Sequence, residues 1–288
     1  MQKVTHSEYI AQKKPLAKQL LAKLNEKYQY ASVLITDNYE KGYRASRSGV
    51  AISAANAFGG KGMIVKVYDG KGYAEYSTNE ITAENLPEIE REIEQQLMNP
   101  ANFIPEGTEE AEYKCISDEP CTLCEATDYE IHPREVGDEK LIETVTALRE
   151  KAVKADERIL DAITGFNYQE YHKLFLSANR ELEQSVLYST GIMALVAAKG
   201  EEIKQSFRGF SNLGGAELLD KMESAIPQCV KTVTDLLNAE PMEPGTYECI
   251  CTPEVTGMIV HEAFGHGVEM DMFVKDRALA QSYIGKQV

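Results

Sequence analysis

Two histidines and a glutamate near the C-terminal end of the sequence have the residue types of a hydrolytic metal site. The stretch 257–271 reads G-M-I-V-H-E-A-F-G-H-G-V-E-M-D and contains His261, Glu262 and His266. Neutral imidazoles are common zinc ligands, and a carboxylate next to a ligand is suited to act as general base for a metal-bound water. The residue types therefore indicate metal-assisted hydrolysis, with Glu262 as the base.

The spacing of the two histidines does not fit a regular helix. In the familiar zinc-peptidase helix the histidines are four residues apart, whereas His261 and His266 are five residues apart. Five residues of α-helix rotate through about 500°, which leaves the side chains about 140° apart. A π-bulge would return them to one face, and so would a helix that ends near Gly265. We predict a widened or broken helix between the histidines, and glycine at 265 and 267 lowers its cost.

The alternative interpretation of this stretch is structural. Glu262 would then be an ordinary helix-surface glutamate, and the two histidines would be neighbours by chance, because short motifs carry a false-positive rate.

Length and composition describe a globular chain without a membrane span. The 288 residues are 43% hydrophobic and 26% charged, and no run approaches the roughly 18 apolar residues of a transmembrane helix. The net charge of −16 disfavours direct binding to nucleic acids, whose phosphates attract cations. The first residues lack the apolar core of a signal peptide, so a cytoplasmic location is expected. For such a chain the six cysteines do not predict a disulfide framework.

Strand-like and helix-like segments follow one another in blocks, which indicates an α+β fold with antiparallel strand meanders and packed helices. Pro15 is expected to kink or restart the first helix, and Asp69-Gly70 is a hairpin signal. The acidic, proline-rich stretch 99–133 is predicted to be a loop. The predicted helices are 6–27, one from 85, 139–160, 216–238 and one from 258. The predicted strands are 30–36, 63–68, 72–76, four runs between 171 and 210 (171–177, 183–190, 192–198 and 203–210), and 247–251.

A linker rich in proline and glycine, Ala239–Gly245, is the best candidate for a domain boundary. We therefore predict an N-terminal α+β domain over residues 1–240. Residues 241–288 are predicted to be the beginning of a second domain, which carries the H-E-x-x-x-H motif. The abrupt end of that domain at Val288 favours a fragment of a longer chain.

A second group of potential ligands occurs earlier in the chain. Cys115, Cys121, Cys124 and His132 form the pattern C-x5-C-x2-C-x7-H, and a C-x2-C pair is typical of zinc or redox sites. The first gap is unusual and no second C-x2-C pair is present. A second metal site and a set of exposed or packed thiols both remain open.

Four further residues are expected to be structural. Cys249 and Cys251 would point to one side of a strand and are predicted to be small buried apolar residues. His6 and His172 stand alone in the sequence and are predicted to be surface or satisfied core histidines.

The stretch 257–271 strongly resembles the signature of the TldD/PmbA family of metallopeptidases. G-F-S-N-L-G-G-A-E-L-L-D at 209–220 and the linker A-E-P-M-E-P-G at 239–245 are also similar to that family. The resemblance extends from about Tyr30 to the end of the chain. It implies a zinc-dependent peptidase that hydrolyses unstructured peptides, with zinc bound by His261 and His266 and with Glu262 as catalytic base.

The resemblance also implies partners and a missing ligand. Members of the family pair with a related subunit that lacks the motif, so this chain resembles the catalytic type in a homo-oligomer or heteromer. The third zinc ligand of the family is a cysteine far downstream, beyond Val288, so we expect these 288 residues to bind little metal and to be inactive. Glu269, three residues beyond His266, could be a substitute ligand, but it is expected instead to support the ligands or to lie on the surface. The alternative function is a non-catalytic binding or assembly subunit of a peptidase complex.

Overall fold

The chain divides into two units, Met1–Ala239 and Glu240–Val288. The first unit is an α+β fold, which confirms the predicted fold class. The computed structural model describes residues 1–54, 60–98, 115–274 and 277–287. In chain order, the elements of the first unit are β1 (Gln2–Lys3), α1 (Glu8–Lys27), β2 (Tyr30–Ser46), β3 (Gly49–Ser53), β4 (Gly60–Tyr68), β5 (Tyr73–Thr78), α2 (Leu86–Met98), β6 (Cys121–Ala126), β7 (Asp128–Tyr129), α3 (Pro133–Val136), α4 (Asp138–Lys154), β8 (Ile159–Ser177), β9 (Arg180–Lys199), β10 (Glu202–Leu213) and α5 (Leu218–Leu236).

Eight of the strands form one sheet with the order β10-β9-β8-β2-β4-β5. In addition, β3 pairs with β2, and β6 pairs with β9. All pairings within this sheet are antiparallel except that of β6 with β9, which is parallel. The short strands β1 and β7 form a separate antiparallel pair.

Side chains alternate between the two faces along each strand. The helices cover the face that carries the apolar side chains. On β8 every even-numbered residue from Ala162 to Leu176 is buried. Two apolar clusters lie on this face. One joins α4 and α5 to β8 and β9, and the other joins α1 and α2 to β2, β4 and the end of β8.

A polar seam separates the two clusters on the helix-covered face. It consists of Glu170 and His172 on β8 and Ser185 on β9, and all three are buried. Tyr168 precedes the seam and belongs to one cluster, whereas Leu174 follows it and belongs to the other. Every second residue of β8 thus remains buried through the seam, but the buried side chains there are polar rather than apolar.

Helix α1 begins at Glu8, close to the predicted start at His6, and is not interrupted by its proline. The Ser7 side chain accepts a hydrogen bond from the backbone N–H of Ile10, at 3.2 Å, and so caps the helix. The helix then continues through Pro15 to Lys27, so of the two predicted effects, a kink or a restart, the restart was wrong. Burial of Leu20 and Leu24 against the sheet offsets the single backbone hydrogen bond that a proline removes.

Helix α4 ends earlier than predicted. It stops at Lys154, and Ile159, which we assigned to the helix, is the first residue of β8. The Asp156 side chain accepts hydrogen bonds from the backbone N–H of Arg158 at 2.9 Å and from its Nε at 2.8 Å. Such an aspartate favours a turn over a continued helix. The helical periodicity appeared to continue because Ile159 is buried in the strand.

The predicted loop 99–133 contains a strand in its described part. Residues 99–114 lie outside the described residues, but β6 follows and pairs with the part of β9 that extends past β10. The prediction of a loop was therefore wrong over Cys121–Ala126. The strand is formed by a parallel pairing with a distant edge, which local composition does not indicate.

Two predicted strands, 183–190 and 192–198, are one strand, β9. The glycine between them, Gly191, does not form a turn. A Cβ atom there would overlap the Met222 side chain of α5, so glycine allows the helix to approach the sheet closely.

The second unit contains no strand among its described residues, so the strand predicted at 247–251 was wrong. Cys249 and Cys251 are exposed rather than buried. A strand requires a hydrogen-bonded neighbour, and an isolated apolar run does not supply one. The elements of this unit are α6 (Pro253–Val260), a π-turn (His261–Gly265), a 3-10 turn (His266–Val268), α7 (Met270–Val274) and a second 3-10 turn (Leu279–Tyr283).

Within the described ranges, none of the helices combines the length and the hydrophobicity that a bilayer crossing requires.

The turn between β10 and α5 generates the first prediction. A Cβ atom at Gly215 would overlap the backbone carbonyl of Ile131, which accepts a hydrogen bond from the N–H of Ala216 at 2.8 Å. We expect Gly215→Ala to lower the free energy of unfolding by roughly 1–3 kcal/mol, because backbone atoms must move. The measurement is the urea midpoint at constant slope. In the control Gly209→Ala, the Cβ would meet no atom within 4 Å, and an equal loss in both variants would contradict this explanation.

Candidate metal centre

The motif lies at the end of α6, where the helix widens by one residue. The backbone N–H of His261 still donates to the carbonyls of Gly257 and Met258, as in an α-helix. The N–H of His266, however, donates to the carbonyl of His261, five residues back. That bond defines a π-turn. The predicted widening between the two histidines is confirmed.

The π-turn brings three potential ligands together. Ligand atoms of His261, Glu262 and His266 all lie within 4.8 Å of one another. The two imidazole rings are 4.4 Å apart between centroids, at an angle of 71°, and Glu262 Oε2 lies 3.9 Å from His266 Nε2. All three residues are exposed. In the part of the chain that the structure describes, this is the only group of three or more such residues.

Gly265 contributes space rather than an unusual backbone angle. Its φ of −54° and ψ of −54° are accessible to any L-residue, so the turn itself does not require glycine there. A Cβ atom would lie 3.9 Å from His261 Nδ1. The missing side chain leaves the ring of His261 accessible on that side.

Glu269 contacts the nitrogen of His266 that does not face Glu262. Glu269 Oε1 lies 3.0 Å from His266 Nδ1, whereas Glu262 approaches Nε2. An ionised carboxylate only accepts hydrogen bonds, so this contact favours a proton on Nδ1 and an open lone pair on Nε2. Glu269 is therefore placed to orient a ligand, and it is not among the three clustered donors.

Curated sequences similar to this chain include archaeal metalloproteases. No protein-family model matches the chain. A metalloprotease of Methanocaldococcus jannaschii is 20% identical over 271 residues, which cover 93% of this chain and 58% of the relative. Metalloproteases of Methanothermobacter thermautotrophicus and Archaeoglobus fulgidus are 27% and 28% identical over 95 and 112 residues, which cover 32% and 39% of this chain and 21% and 26% of the relatives.

Solved structures share the fold at lower identity. A proposed modulator of DNA gyrase from Bacteroides thetaiotaomicron superimposes with a TM-score of 0.65 at 16% identity, over 88% of this chain and 56% of that protein. TldE from Thermococcus kodakarensis gives 0.55 at 14% identity, over 76% of this chain and 47% of its own. Together, these likenesses support the resemblance of the chain to TldD/PmbA-like metalloproteases.

The chain spans between about a fifth and three fifths of the length of the relatives that it matches. The metalloprotease relatives imply a metal ion, and the side chains of His261, Glu262 and His266 have suitable chemistry for one. Imidazole nitrogens and a carboxylate are the ligand types of zinc sites. Their mutual distances are short enough for contact with a single ion.

The second candidate group of ligands is not assembled within the described part of the chain. Cys121 and Cys124 are three residues apart on β6, so their side chains point to opposite faces of the sheet. His132 is engaged elsewhere, because its Nδ1 accepts a hydrogen bond from the N–H of Arg134 at 3.3 Å at the start of α3. Cys115 is exposed. The pattern C-x5-C-x2-C-x7-H therefore does not form a metal-binding cluster among the described residues.

The contact of Glu269 with His266 generates the second prediction. We expect neutral His266 to carry its proton on Nδ1, and we expect Glu269→Gln to shift the equilibrium toward the other tautomer because the charged acceptor is lost. Long-range proton–nitrogen NMR spectra of the imidazole distinguish the two forms. Glu248→Gln, which removes an exposed carboxylate outside the turn, is the matched control. A wild-type His266 with its proton on Nε2 would contradict the assignment.

Proposed function

We propose that the protein is a zinc-dependent peptidase in which His261 and His266 bind zinc and Glu262 acts as general base. The observation that carries this proposal is the π-turn, since it places two imidazoles and a carboxylate within 4.8 Å of one another despite their unusual spacing. The names of the archaeal relatives support metalloprotease chemistry. A zinc ion bound at such a site supplies Lewis acidity, which polarises a carbonyl and lowers the pKa of water.

The protein side chains have distinct roles in the proposed reaction. Glu262 accepts a proton from the attacking water and then donates it to the amine nitrogen of the departing peptide, as general acid–base catalysis requires. Its position next to His261 keeps the carboxylate beside the metal ligands. Glu269 holds His266 through Nδ1 at 3.0 Å and so aims Nε2 at the shared site.

Two histidines do not complete a peptidase zinc site, which usually has three protein ligands and one open position. We propose that the third ligand comes from outside the cluster of His261, Glu262 and His266. The exposure of all three residues is consistent with a site that further protein encloses.

Substrate, partner and location follow from the family resemblance and from composition. We propose unstructured peptides as substrates, and assembly either as a homo-oligomer or with a related TldD/PmbA-type subunit. We also propose a cytoplasmic location, which is supported by six unpaired cysteines, because free thiols are typical of reducing compartments. Nucleic acids are not proposed as partners, since the net charge is −16.

Zinc binding is the third prediction. His261→Ala and His266→Ala should each weaken zinc binding by at least about tenfold, because each removes a ligand from an already small set. Competition with a chromophoric chelator measures the affinity. The double variant Cys249→Ser/Cys251→Ser should leave zinc affinity unchanged, since neither thiol belongs to the cluster. Loss of affinity in the cysteine variant, with none in the histidine variants, would contradict the proposed ligands.

Catalysis is the fourth prediction. In the full-length protein, alone and mixed with a related subunit, Glu262→Gln should lower the rate of hydrolysis of an unstructured peptide by about a hundredfold or more, since the base is lost. Zinc content should remain at the wild-type value. Glu248→Gln should retain full activity. If wild type is inert while fully loaded with zinc, the chain is instead a non-catalytic assembly subunit.

A further inference from the structure

A second cluster of reactive side chains lies at the edge of the sheet in the first unit. Cys124 Sγ on β6 is 3.4 Å from His6 Nε2, and the thiol is exposed. The pairing of β1 with β7 brings the N-terminal segment alongside the end of β6, and this places His6 beside Cys124. A residue 118 positions away in sequence thus becomes the neighbour of the thiol.

The other ring nitrogen of His6, Nδ1, contacts Ser185 and Glu183. His6 Nδ1 lies 2.9 Å from Ser185 Oγ and 3.6 Å from Glu183 Oε1. The second carboxylate oxygen of Glu183 accepts a hydrogen bond from Lys14 Nζ at 3.0 Å, so the orientation of this carboxylate is fixed. A carboxylate close to Nδ1 favours a proton on that nitrogen.

The polar seam continues this chain of contacts into the protein. Ser185 Oγ lies 2.9 Å from His172 Nδ1, and His172 Nε2 lies 3.6 Å from Glu170 Oε2. Glu170 Oε1 accepts a hydrogen bond from Arg134 Nε at 2.7 Å. Burial raises the pKa of Glu170, but the contacts with His172 and Arg134 outweigh burial, so the pKa lies below its ordinary value.

The ionised carboxylate of Glu170 determines which group donates and which accepts in each hydrogen bond of this series. It favours a proton on His172 Nε2, which makes His172 Nδ1 an acceptor for the Ser185 hydroxyl. Ser185 Oγ is then free to accept a hydrogen bond from His6 Nδ1. His6 Nε2 consequently carries a lone pair that faces the thiol of Cys124. Two carboxylates, Glu183 and Glu170, thus favour the same tautomer of His6.

We propose that Cys124 and His6 form a nucleophilic thiol site that takes small disulfides. His6 Nε2 accepts the thiol proton, and Sγ attacks one sulfur of the disulfide. The new bond joins Sγ to that sulfur, the original S–S bond breaks, and the departing thiolate takes the proton from His6. Cys124 ends as a mixed disulfide, and no further oxidant is consumed. Ser185, His172 and Glu170 are positioning residues, because they act through His6.

The chain contains its own comparison for this proposal. Cys121 is also exposed and lies on the same strand, but alternation directs its side chain to the opposite face from Cys124. Both thiols are therefore exposed and lie on the same strand of the same protein, but only Cys124 contacts His6. Any difference in reactivity between the two thiols reports on the histidine and its support.

The test is a site-resolved rate measurement on the native chain with uncharged dithiodipyridine, quenched with acid and read by peptide mass spectrometry. We expect Cys124 to react at least about tenfold faster than Cys121, since a positioned base assists the proton transfer. In urea the two rates should converge. His6→Asn keeps a donor at the position of Nδ1 and removes Nε2, so it should lower the Cys124 rate to that of Cys121.

Two results would overturn the proposal. One is a native Cys124 that reacts no faster than Cys121, which requires no variant and so does not depend on the folding of a mutant. The other is a folded His6→Asn protein, judged by circular dichroism, whose Cys124 keeps its wild-type rate. Cys121→Ser is the control substitution and should leave the Cys124 rate unchanged.

Discussion

Strands β8 and β9 pair antiparallel over nearly their whole lengths, and the arrangement of the first unit depends on the register of that pair. Side chains alternate along a strand, so a slip of one residue would exchange the helix-covered and the open faces. The register opposes Thr164 to Met193 and Phe166 to Gly191. It therefore aligns one buried row under α4 and α5. A bulge at Leu160 marks the point where this regular pairing begins.

The same register places polar residues in the middle of an otherwise apolar face. Burial of Glu170 would be costly without partners, because an unpaired charge loses its hydration. Arg134 Nε at 2.7 Å and the flanking histidines satisfy it. The seam thus divides the helix-covered face into two apolar clusters. The seam also determines the order of donors and acceptors in the hydrogen bonds that run from Glu170 to His6 at the edge of the sheet.

In the second unit a single backbone hydrogen bond determines which side chains lie together, as the strand register does in the first unit. Transfer of the His266 N–H to the carbonyl five residues back adds one residue to the turn. In a regular helix the same side chains would diverge by about 140°. The spacing that separates this motif from the ordinary zinc-peptidase helix is therefore compensated by backbone geometry. The compensation is local, since the preceding helix and the following 3-10 turn are regular.

The sequence by itself determined those features that arise from short-range chemistry. Apolar periodicity predicts α2, and hairpin residues predict the turn at Gly70, whose φ is 101°. Helix geometry, combined with the hypothesis that both histidines bind one ion, predicts the distortion between His261 and His266. Tertiary structure decided what depends on distant partners. Strand β6 exists only through its pairing with β9, and Gly191 is explained only by contact with Met222. His6 and Cys124 meet only because two strands pair across the chain, and no local pattern records such an encounter.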